Sequence, residues 1–407
     1  MAPGAHQKIH NGREEFKRFE EEVVERHRKQ MIVELQEKLQ EMDRKAVQGL
    51  QGKGRLVDKG YVKRKVQTSV GTVWVWVKRW KRQRSAGSIY ALFDVCGVSR
   101  VSERAQGHCV QVAMGQSYEM SRQTLRQLSG MAMSRMGIWK VVQEQGQRER
   151  ERVEKQRQKM FELGEIPVAE KPKKKAVLIQ IDGTLIGTRE RTGIEEVRGK
   201  RRMEVKLGVV YTGTEQVSKN RRQTTERMVY GEVGAAEEFG ERLYGECLRY
   251  GMEPETRVHL LGDGAVWIRN VQRAVLPGSR FTLDAYHLQK AAREVLTERQ
   301  YEHFRSLVFS NRAPDALQYV RTLQPSDHDH RQELKEFTAY LETNLDGIHY
   351  QTKAPIGSGV VEKMADIVVG RRMKRRGMSW SKEGANNLLA LRDRYLNEDS
   401  DRRASAS

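Results

Sequence analysis

The chain has 407 residues, in which 74 Lys and Arg outnumber 54 Asp and Glu and give a net charge of +20. A chain of this length usually forms two or three domains, and such an excess of positive charge is typical of proteins that bind nucleic acid. No apolar run reaches the roughly 20 residues needed to span a bilayer, and the N-terminal segment lacks the apolar core of a signal peptide. We therefore expect a cytoplasmic protein with no membrane partner. The cysteines (Cys96, Cys109 and Cys247) are too scattered for a zinc site.

The first predicted element is a long helix within residues 1–55. From Glu14 to Val47 apolar residues recur at steps of three and four, except for one gap of eight that contains His27, and charged residues fill the other faces. This pattern favours a coiled-coil arm for self-association or a helix packed on its own domain, and it does not separate the two. The apolar positions are Phe16, Phe19, Val23, Met31, Leu35, Leu39 and Met42.

Residues 56–110 contain a predicted β-hairpin that turns near Gly71. The segment "TVWVWV" alternates, so Val73, Val75 and Val77 should share one face, with Trp74 and Trp76 on the other. The hairpin is strongly basic, which suits contact with a DNA backbone; an ordinary hairpin with solvated charges is the alternative. The candidate DNA-binding residues are Lys78, Arg79, Lys81 and Arg82.

Residues 111–163 are predicted to be helical, with two helices separated near Gly130. The pair resembles a helix-turn-helix, whose second helix would carry Arg135 and Lys140 to DNA, although simple helix packing gives a similar pattern. Residues 164–175, "GEIPVAEKPKKK", contain two prolines and four lysines and predict a linker.

Beyond this linker, apolar strand-like runs each end in an aspartate. Asp182, Asp263 and Asp284 are the only aspartates between residues 171 and 300. With helical patterns between the runs, this order predicts a mixed α/β sheet whose ligand site lies beyond the strand ends. Clustered carboxylates repel one another, and a divalent cation, Mg²⁺ or Mn²⁺ for oxygen ligands, removes the repulsion. The alternative is that each Asp-Gly pair only forms a tight turn.

A later segment supplies another acidic residue. Ser358 is suited to cap a helix that runs to Val369 and ends at Gly370, with Glu362 and Asp366 on one exposed face. The spacing does not choose between these two acids. The predicted buried face consists of Val361, Met364, Ala365 and Val368. A cationic run suited to phosphates follows, made of Arg371, Arg372, Lys374, Arg375 and Arg376. Trp380 would stack on an unpaired base or pack in the core.

Four segments together resemble a known family. "IQIDGTLI", "LLGDGAVWI", "LDAYHLQKA" and "GSGVVEKMADIVVGRRMKRRGMSWSKEGANNLLALR" look like the ISLre-type insertion-sequence transposases, a branch of the Mutator-like DDE transposases. The resemblance covers roughly Tyr61 to Arg392, and "RMKRRGMSWS" is its most specific part.

The resemblance implies an α/β catalytic core of RNase H-like fold, formed by residues 176–296 and 351–392 and interrupted by a helical insertion at 297–350. It implies that Asp182, Asp263 and Glu362 are the catalytic, metal-binding carboxylates. It assigns Asp284 and His287 to a supporting Asp-x-x-His motif. Residues 393–407 would form a polar tail.

The implied activity is metal-dependent cleavage of transposon ends and strand transfer into target DNA. The expected cofactors are two Mg²⁺ or Mn²⁺ ions, and the expected partner is double-stranded DNA. A homo-oligomer is also expected, because two transposon ends must be joined. The alternatives are an RNase H-like nuclease or resolvase that cuts without joining, and an inactive DNA-binding relative.

Overall fold

The computed structural model describes residues 3–50, 56–82, 87–191, 195–197, 200–218, 221–350 and 359–406. The protein is mixed α/β, and it divides into two compact units, Met1–Val142 and Gln143–Ser407. Within the described ranges, no helix combines the length and the apolar character that crossing a membrane requires.

The first unit begins with a long helix and a hairpin. Its first elements are α1 (Pro3–Leu50), β1 (Leu56–Thr68), β2 (Gly71–Arg82) and β3 (Ser88–Tyr90), and the strands form one antiparallel sheet in that order. Val73, Val75 and Val77 are fully buried, whereas Trp74 and Trp76 are about half exposed. The predicted hairpin is confirmed, because alternate side chains of a strand point to opposite faces.

The two halves of helix α1 differ in how far their apolar side chains are packed. Ile32, Leu39 and Met42 in its second half pack against the buried valines of the hairpin. In its first half Phe16 and Phe19 are 66% and 61% exposed. The second half therefore packs on its own unit, and self-association through the first half stays a prediction.

Helices complete the first unit and continue into the second. They are a π-helical turn (Ala91–Val95), α2 (Glu103–Gly115), α3 (Tyr118–Ser129) and α4 (Arg135–Leu163). Gly130 ends α3 with a φ of +69°, at the predicted break. The boundary between the units falls inside α4 and not at the predicted linker, because Val153 belongs to the second core and Arg152 pairs with Glu246 at 3.1 Å.

The second unit is built on a mixed sheet. Its strands are β4 (Ala176–Gly187), β5 (Glu195–Val197), β6 (Lys200–Tyr211), β7 (Gly213–Ser218), β8 (Arg221–Thr225), β9 (Met228–Glu232), β10 (Arg257–Gly262) and β11 (Arg280–Leu283). The order is β11-β10-β4-β6-β5, with β9 also paired to β6 and with β7 and β8 forming a separate hairpin. β10 runs parallel to β4 and β11, whereas β6 runs antiparallel to β4 and β9.

Two features of this sheet differ from the prediction. Asp182 does not end its strand: β4 continues to Gly187, because β6 pairs with it as far as Arg202. The short strands β5 and β9 were not predicted, since runs of three and five residues carry too little alternation to be recognised.

Helices cover the sheet and form the insertion. They are α5 (Ala236–Arg249), α6 (Val266–Val275), α7 (Ala285–Val295), α8 (Glu298–Phe309), α9 (Ala313–Thr322) and α10 (His328–Asn344), followed by a 3₁₀ turn (Leu345–Gly347). Ile179 and Ile181 of β4 share one apolar core with Phe239 of α5, Ile268 of α6 and Phe337 of α10. The segment predicted as an insertion is therefore helical and packs into the same core as the sheet.

The last elements are α11 (Gly359–Ala365), a π-helical turn (Asp366–Gly370), α12 (Arg371–Met373) and α13 (Lys382–Ala406). Gly370 does not end the helix as predicted: its φ is −55° and the chain continues helically through it to Met373. The predicted cap, Ser358, lies outside the described residues.

Candidate functional site

The three strand-associated aspartates lie side by side at one level of the sheet. Leu261 of β10 pairs with Gln180 of β4, so Asp263 lies beside Asp182 when the register is continued by two residues. Gly262 pairs with Leu283 of β11, which places Asp263 beside Asp284 in the same way. Neighbouring strands are about 4.8 Å apart, so the sheet brings the backbone positions of these aspartates close together.

Asp182 has the most perturbed environment of the three. Its side chain is half-buried, and the Gly183 backbone N–H donates to Oδ1 at 2.8 Å. Burial is the main reason that the pKa of Asp182 rises to about 6; the charges of Asp263 and Glu362 add to the rise, whereas Gly183 and His287 oppose it. The predicted carboxylates and His287 are therefore within electrostatic reach of Asp182.

Asp263 is held by the turn that follows β10 and by the insertion. Its Oδ1 accepts from the backbone N–H of Ala265 at 2.9 Å, and its carbonyl accepts from the Tyr340 hydroxyl at 2.6 Å. Gly264 has a φ of +85°, and a Cβ there would lie 2.6 Å from Leu283 and 2.8 Å from the Tyr340 ring. This Asp-Gly pair therefore forms a tight turn and also positions an acidic residue at a strand end.

Asp284 caps a helix. Its carboxylate is almost fully buried and accepts from the backbone N–H groups of Tyr286 at 2.7 Å and His287 at 3.2 Å, which fixes the start of α7. His287 is half-buried in the first turn of that helix. These contacts suit the predicted supporting role, because Asp284 orients the segment that carries His287.

Helix α11 carries Glu362 to the face of β4 that bears Asp182. The backbone N–H of Val361 donates to the buried Gln180 side chain at 2.9 Å, and Gln180 precedes Asp182 by two residues on the same face. Glu362 is exposed and close enough to raise the pKa of Asp182. Asp366 forms an exposed ion pair with Arg371 at 3.0 Å. The geometry therefore favours Glu362, a choice that the sequence spacing left open.

The donor set consists of carboxylates, which are ligands that Mg²⁺ and Mn²⁺ prefer. Among the described residues, no three His, Cys, Asp or Glu side chains lie close enough together to hold one ion. Residues 351–358, which precede α11, are outside those described. The fold thus brings carboxylates to one region of the sheet, but the described side chains do not form a metal-binding cluster.

Part of the predicted cationic run lies against this site. Lys374 donates to Thr184 Oγ1 at 2.5 Å, two residues beyond Asp182 on β4, and burial lowers the pKa of Lys374 while Asp182 opposes that shift. Arg371, Arg375 and Arg376 are exposed.

Arg372 and Trp380 do not fit the predicted contact with DNA. Arg372 is only 1% exposed, with its guanidinium 5.3 Å from the Trp380 ring. Trp380 is 8% exposed; its Nε1 donates to the carbonyl of Met373, and its backbone N–H donates to Gly187 at the end of β4. The core-packing alternative is therefore correct for Trp380. The contact that buries Trp380 is with Gly187, nearly 200 residues earlier in the chain, so the sequence around Trp380 did not indicate its burial.

The predicted DNA-binding residues of the N-terminal unit differ in exposure. Lys81, Arg135 and Lys140 are exposed, whereas Arg79 is half-buried and Lys78 forms a 2.6 Å ion pair with Asp58. The side chain of Arg82 lies outside what the structure describes.

Two residues that position the site were not predicted. Gln180 joins β4 to α11, and Tyr340 joins the insertion to Asp263. Gln180 was recognisable only as a polar residue within the apolar run "AVLIQID", and Tyr340 had no recognisable signal.

Fold and site define a mixed α/β protein with acidic residues gathered on the sheet. The chain belongs to the uncharacterised protein family UPF0236, whose model matches residues 9–406. No curated protein shows significant sequence similarity to the chain. The solved structure of NurA bound to dAMP and manganese aligns at 13% identity over 61% of this chain and 59% of that chain, with a TM-score of 0.10. A TM-score this low carries no argument about fold or function.

Proposed function

We propose that this protein is the DNA transposase of an insertion sequence, with Asp182, Asp263 and Glu362 as its catalytic carboxylates. The observation that supports the proposal is that Asp263 and Glu362 are both near enough to raise the pKa of Asp182, with β10 running parallel to β4 as far as the pair Leu261 and Gln180. The four motifs that resemble ISLre-type transposases support the same three residues.

The strand arrangement supports an RNase H-like catalytic core. β4, β6 and β9 form an antiparallel set, and β10 and β11 continue the sheet on the other side of β4, parallel to it. This is the strand order expected of that fold. The first acidic residue then lies on the central strand and the second directly after the neighbouring parallel strand.

Asp182, Asp263 and Glu362 are the residues that would hold two Mg²⁺ or Mn²⁺ ions. Bound ions of this kind supply Lewis-acid stabilisation of charge on the attacking and leaving oxygens of a phosphodiester. The chain's own groups hold the site in place, since Tyr340 fixes the backbone at Asp263 and Asp284 fixes the start of α7. Lys374, which donates to Thr184 two residues beyond Asp182, would contact a DNA phosphate.

The proposed partners are double-stranded transposon ends and target DNA. The net charge of +20 and the exposed cations, including Arg371, Arg375 and Arg376, suit phosphate backbones. Joining two ends requires at least two protomers, so we expect a homo-oligomer, with the exposed first half of α1 as a candidate contact. Because the proposed substrate is DNA inside the cell, we expect a cytoplasmic location.

A strand-transfer assay tests the proposal. Purified protein, Mg²⁺ and a labelled duplex carrying the DNA that flanks the gene are incubated with a plasmid target. Asp263→Asn should abolish the joined product, whereas Asp315→Asn, at an exposed ion pair with Arg312, should not. Cleavage without joining would identify a nuclease or resolvase, and binding without cleavage would identify an inactive relative.

A further inference from the structure

One face of the hairpin in the first unit combines aromatic and lysine side chains in a regular pattern. Cross-strand neighbours on this face are Tyr61 with Lys78, Lys63 with Trp76, and Lys65 with Trp74. Each of these three cross-strand pairs therefore consists of one aromatic residue and one lysine. We call these six residues the aromatic–lysine face.

The aromatic side chains on this face are about half exposed to solvent. Tyr61, Trp74 and Trp76 are 46%, 48% and 52% exposed, whereas the valines on the opposite face are fully buried. Lys63 lies 5.6 Å from the Trp74 ring centroid and Lys78 lies 4.8 Å from that of Tyr61. Large exposed aromatic groups that contribute nothing to the core usually mark a binding surface.

The face is held rigidly by α1. The Gln40 side chain exchanges two hydrogen bonds with the backbone of Trp76, at 2.8 and 3.2 Å. Asp43 is fully buried and accepts from the backbone of Lys78 and Leu92, both at 3.1 Å. The rings are thus presented on a fixed strand, which lowers the entropy lost when a ligand binds.

We propose that the aromatic–lysine face binds single-stranded DNA, with bases stacked on Trp74, Trp76 and Tyr61 and phosphates paired with Lys63 and Lys65. Alternate residues on a strand are about 7 Å apart, so consecutive rings receive separate bases. Bases in a duplex already stack on each other, so an open aromatic surface favours an unpaired strand.

The charges of the face favour this occupant over a second copy of the chain. The six residues carry three lysines and no carboxylate, and only Lys78 has an ion-pair partner, Asp58, among the described residues. A second copy would add positive charge, whereas a DNA strand brings a phosphate for every lysine. The inference goes beyond the proposed function and does not depend on the catalytic carboxylates.

The test measures binding of the full-length protein to labelled oligothymidylate and to a duplex of equal length, in EDTA. Trp74→Ala/Trp76→Ala should weaken single-strand binding about tenfold per tryptophan and leave duplex binding unchanged. Trp74→Phe/Trp76→Phe should restore most of the loss because the rings remain. Phe161→Ala, at an aromatic ring of similar exposure (43%) outside this face, is the matched control.

The lysines are tested by salt dependence. Lys63→Gln/Lys65→Gln should lower the slope of log K against log salt by about 1.4, because each single-strand phosphate contact contributes about 0.7. The tryptophan variants should leave that slope unchanged.

Unchanged single-strand binding in Trp74→Ala/Trp76→Ala, or an equal loss of duplex and single-strand binding, would overturn the proposal. A smaller oligomer of this variant on sedimentation would also overturn it, because the face would then be a contact between copies of the chain. Asp263→Asn should bind oligothymidylate normally, so failure of the catalytic proposal is separately visible.

Discussion

The hydroxyl of Tyr340 donates a 2.6 Å hydrogen bond to the backbone carbonyl of Asp263. Tyr340 belongs to α10, and one turn later the Asn344 side chain donates to the carbonyl of Gly264 at 3.0 Å. Helix α10 therefore supports Asp263, because two of its side chains bind the backbone of the turn that carries this residue.

Replacing this support should reduce activity more than stability. We expect Tyr340→Phe to lower the proposed strand-transfer activity by about tenfold, because Tyr340 orients Asp263, a proposed metal ligand, and groups that orient metal ligands contribute at about that level. The free energy of unfolding should fall by only about 1–2 kcal/mol for the lost hydrogen bond. Tyr301→Phe, which removes a 3.2 Å bond to Gln289 in a fully buried tyrosine, is the control. Equal activity of the two variants would contradict the role of Tyr340.

The raised pKa of Asp182 predicts a pH-dependent gain in stability for Asp182→Asn. A rise from 3.8 to about 6 means that the folded state holds the proton more tightly, so stability is highest below about pH 4 and is lost as the pH rises through 6. The loss amounts to about 3 kcal/mol at pH 8. Urea unfolding in EDTA should show Asp182→Asn gaining stability relative to the unmodified protein between pH 4 and pH 8, although its activity is lost. A difference that does not change with pH would refute the assigned environment.

Matched substitutions can decide which of Glu362 and Asp366 has the proposed catalytic role. Glu362→Gln should reduce strand transfer by about 10²–10³-fold, since it removes one of the three proposed metal-binding charges. Asp366→Asn should have little effect on activity, and its exposed ion pair with Arg371 contributes under about 1 kcal/mol. Circular dichroism would check that both variants are folded. The opposite ranking of activities would transfer the catalytic role to Asp366.

A buried carboxylate caps the edge strand β9. Asn386 exchanges hydrogen bonds with the backbone of Val233, and Asn397 does so with Val229. Between them Asp393 accepts from Gly231 at 2.8 Å, while its Oδ1 has no hydrogen-bond partner among the described residues. Burial raises the pKa of Asp393 well above its ordinary value.

We therefore expect Asp393→Asn to raise the free energy of unfolding at pH 8, by about 1–3 kcal/mol, because an amide avoids a buried charge in a position flanked by two asparagines. The gain should shrink as the pH falls and Asp393 takes up a proton. Asn386→Asp, which adds a second carboxylate at this edge, should be destabilising over the same range. Denaturant titrations at pH 5 and pH 8 measure both, and a loss of stability in Asp393→Asn at pH 8 would contradict the prediction.

The sequence by itself determined the local features of this protein. Alternation of valine and tryptophan predicts the hairpin and its two faces, because side-chain direction in a strand depends only on position. The break at Gly130 was likewise predictable from a single residue. Strand-like runs before Asp182, Asp263 and Asp284 indicated a shared sheet edge, and the register of β10 between β4 and β11 brings the three together.

Only the tertiary structure decided the features that depend on distant partners. β4 extends past Asp182 because β6 continues to pair with it, and Glu362 reaches the Asp182 face because Gln180 binds the start of α11. Arg372 and Trp380 are buried because the end of β4 pairs with the backbone of Trp380. In each case the deciding contact joins segments far apart in the chain, and the free energy of burial outweighs the local preference of a charged or amphipathic side chain for solvent.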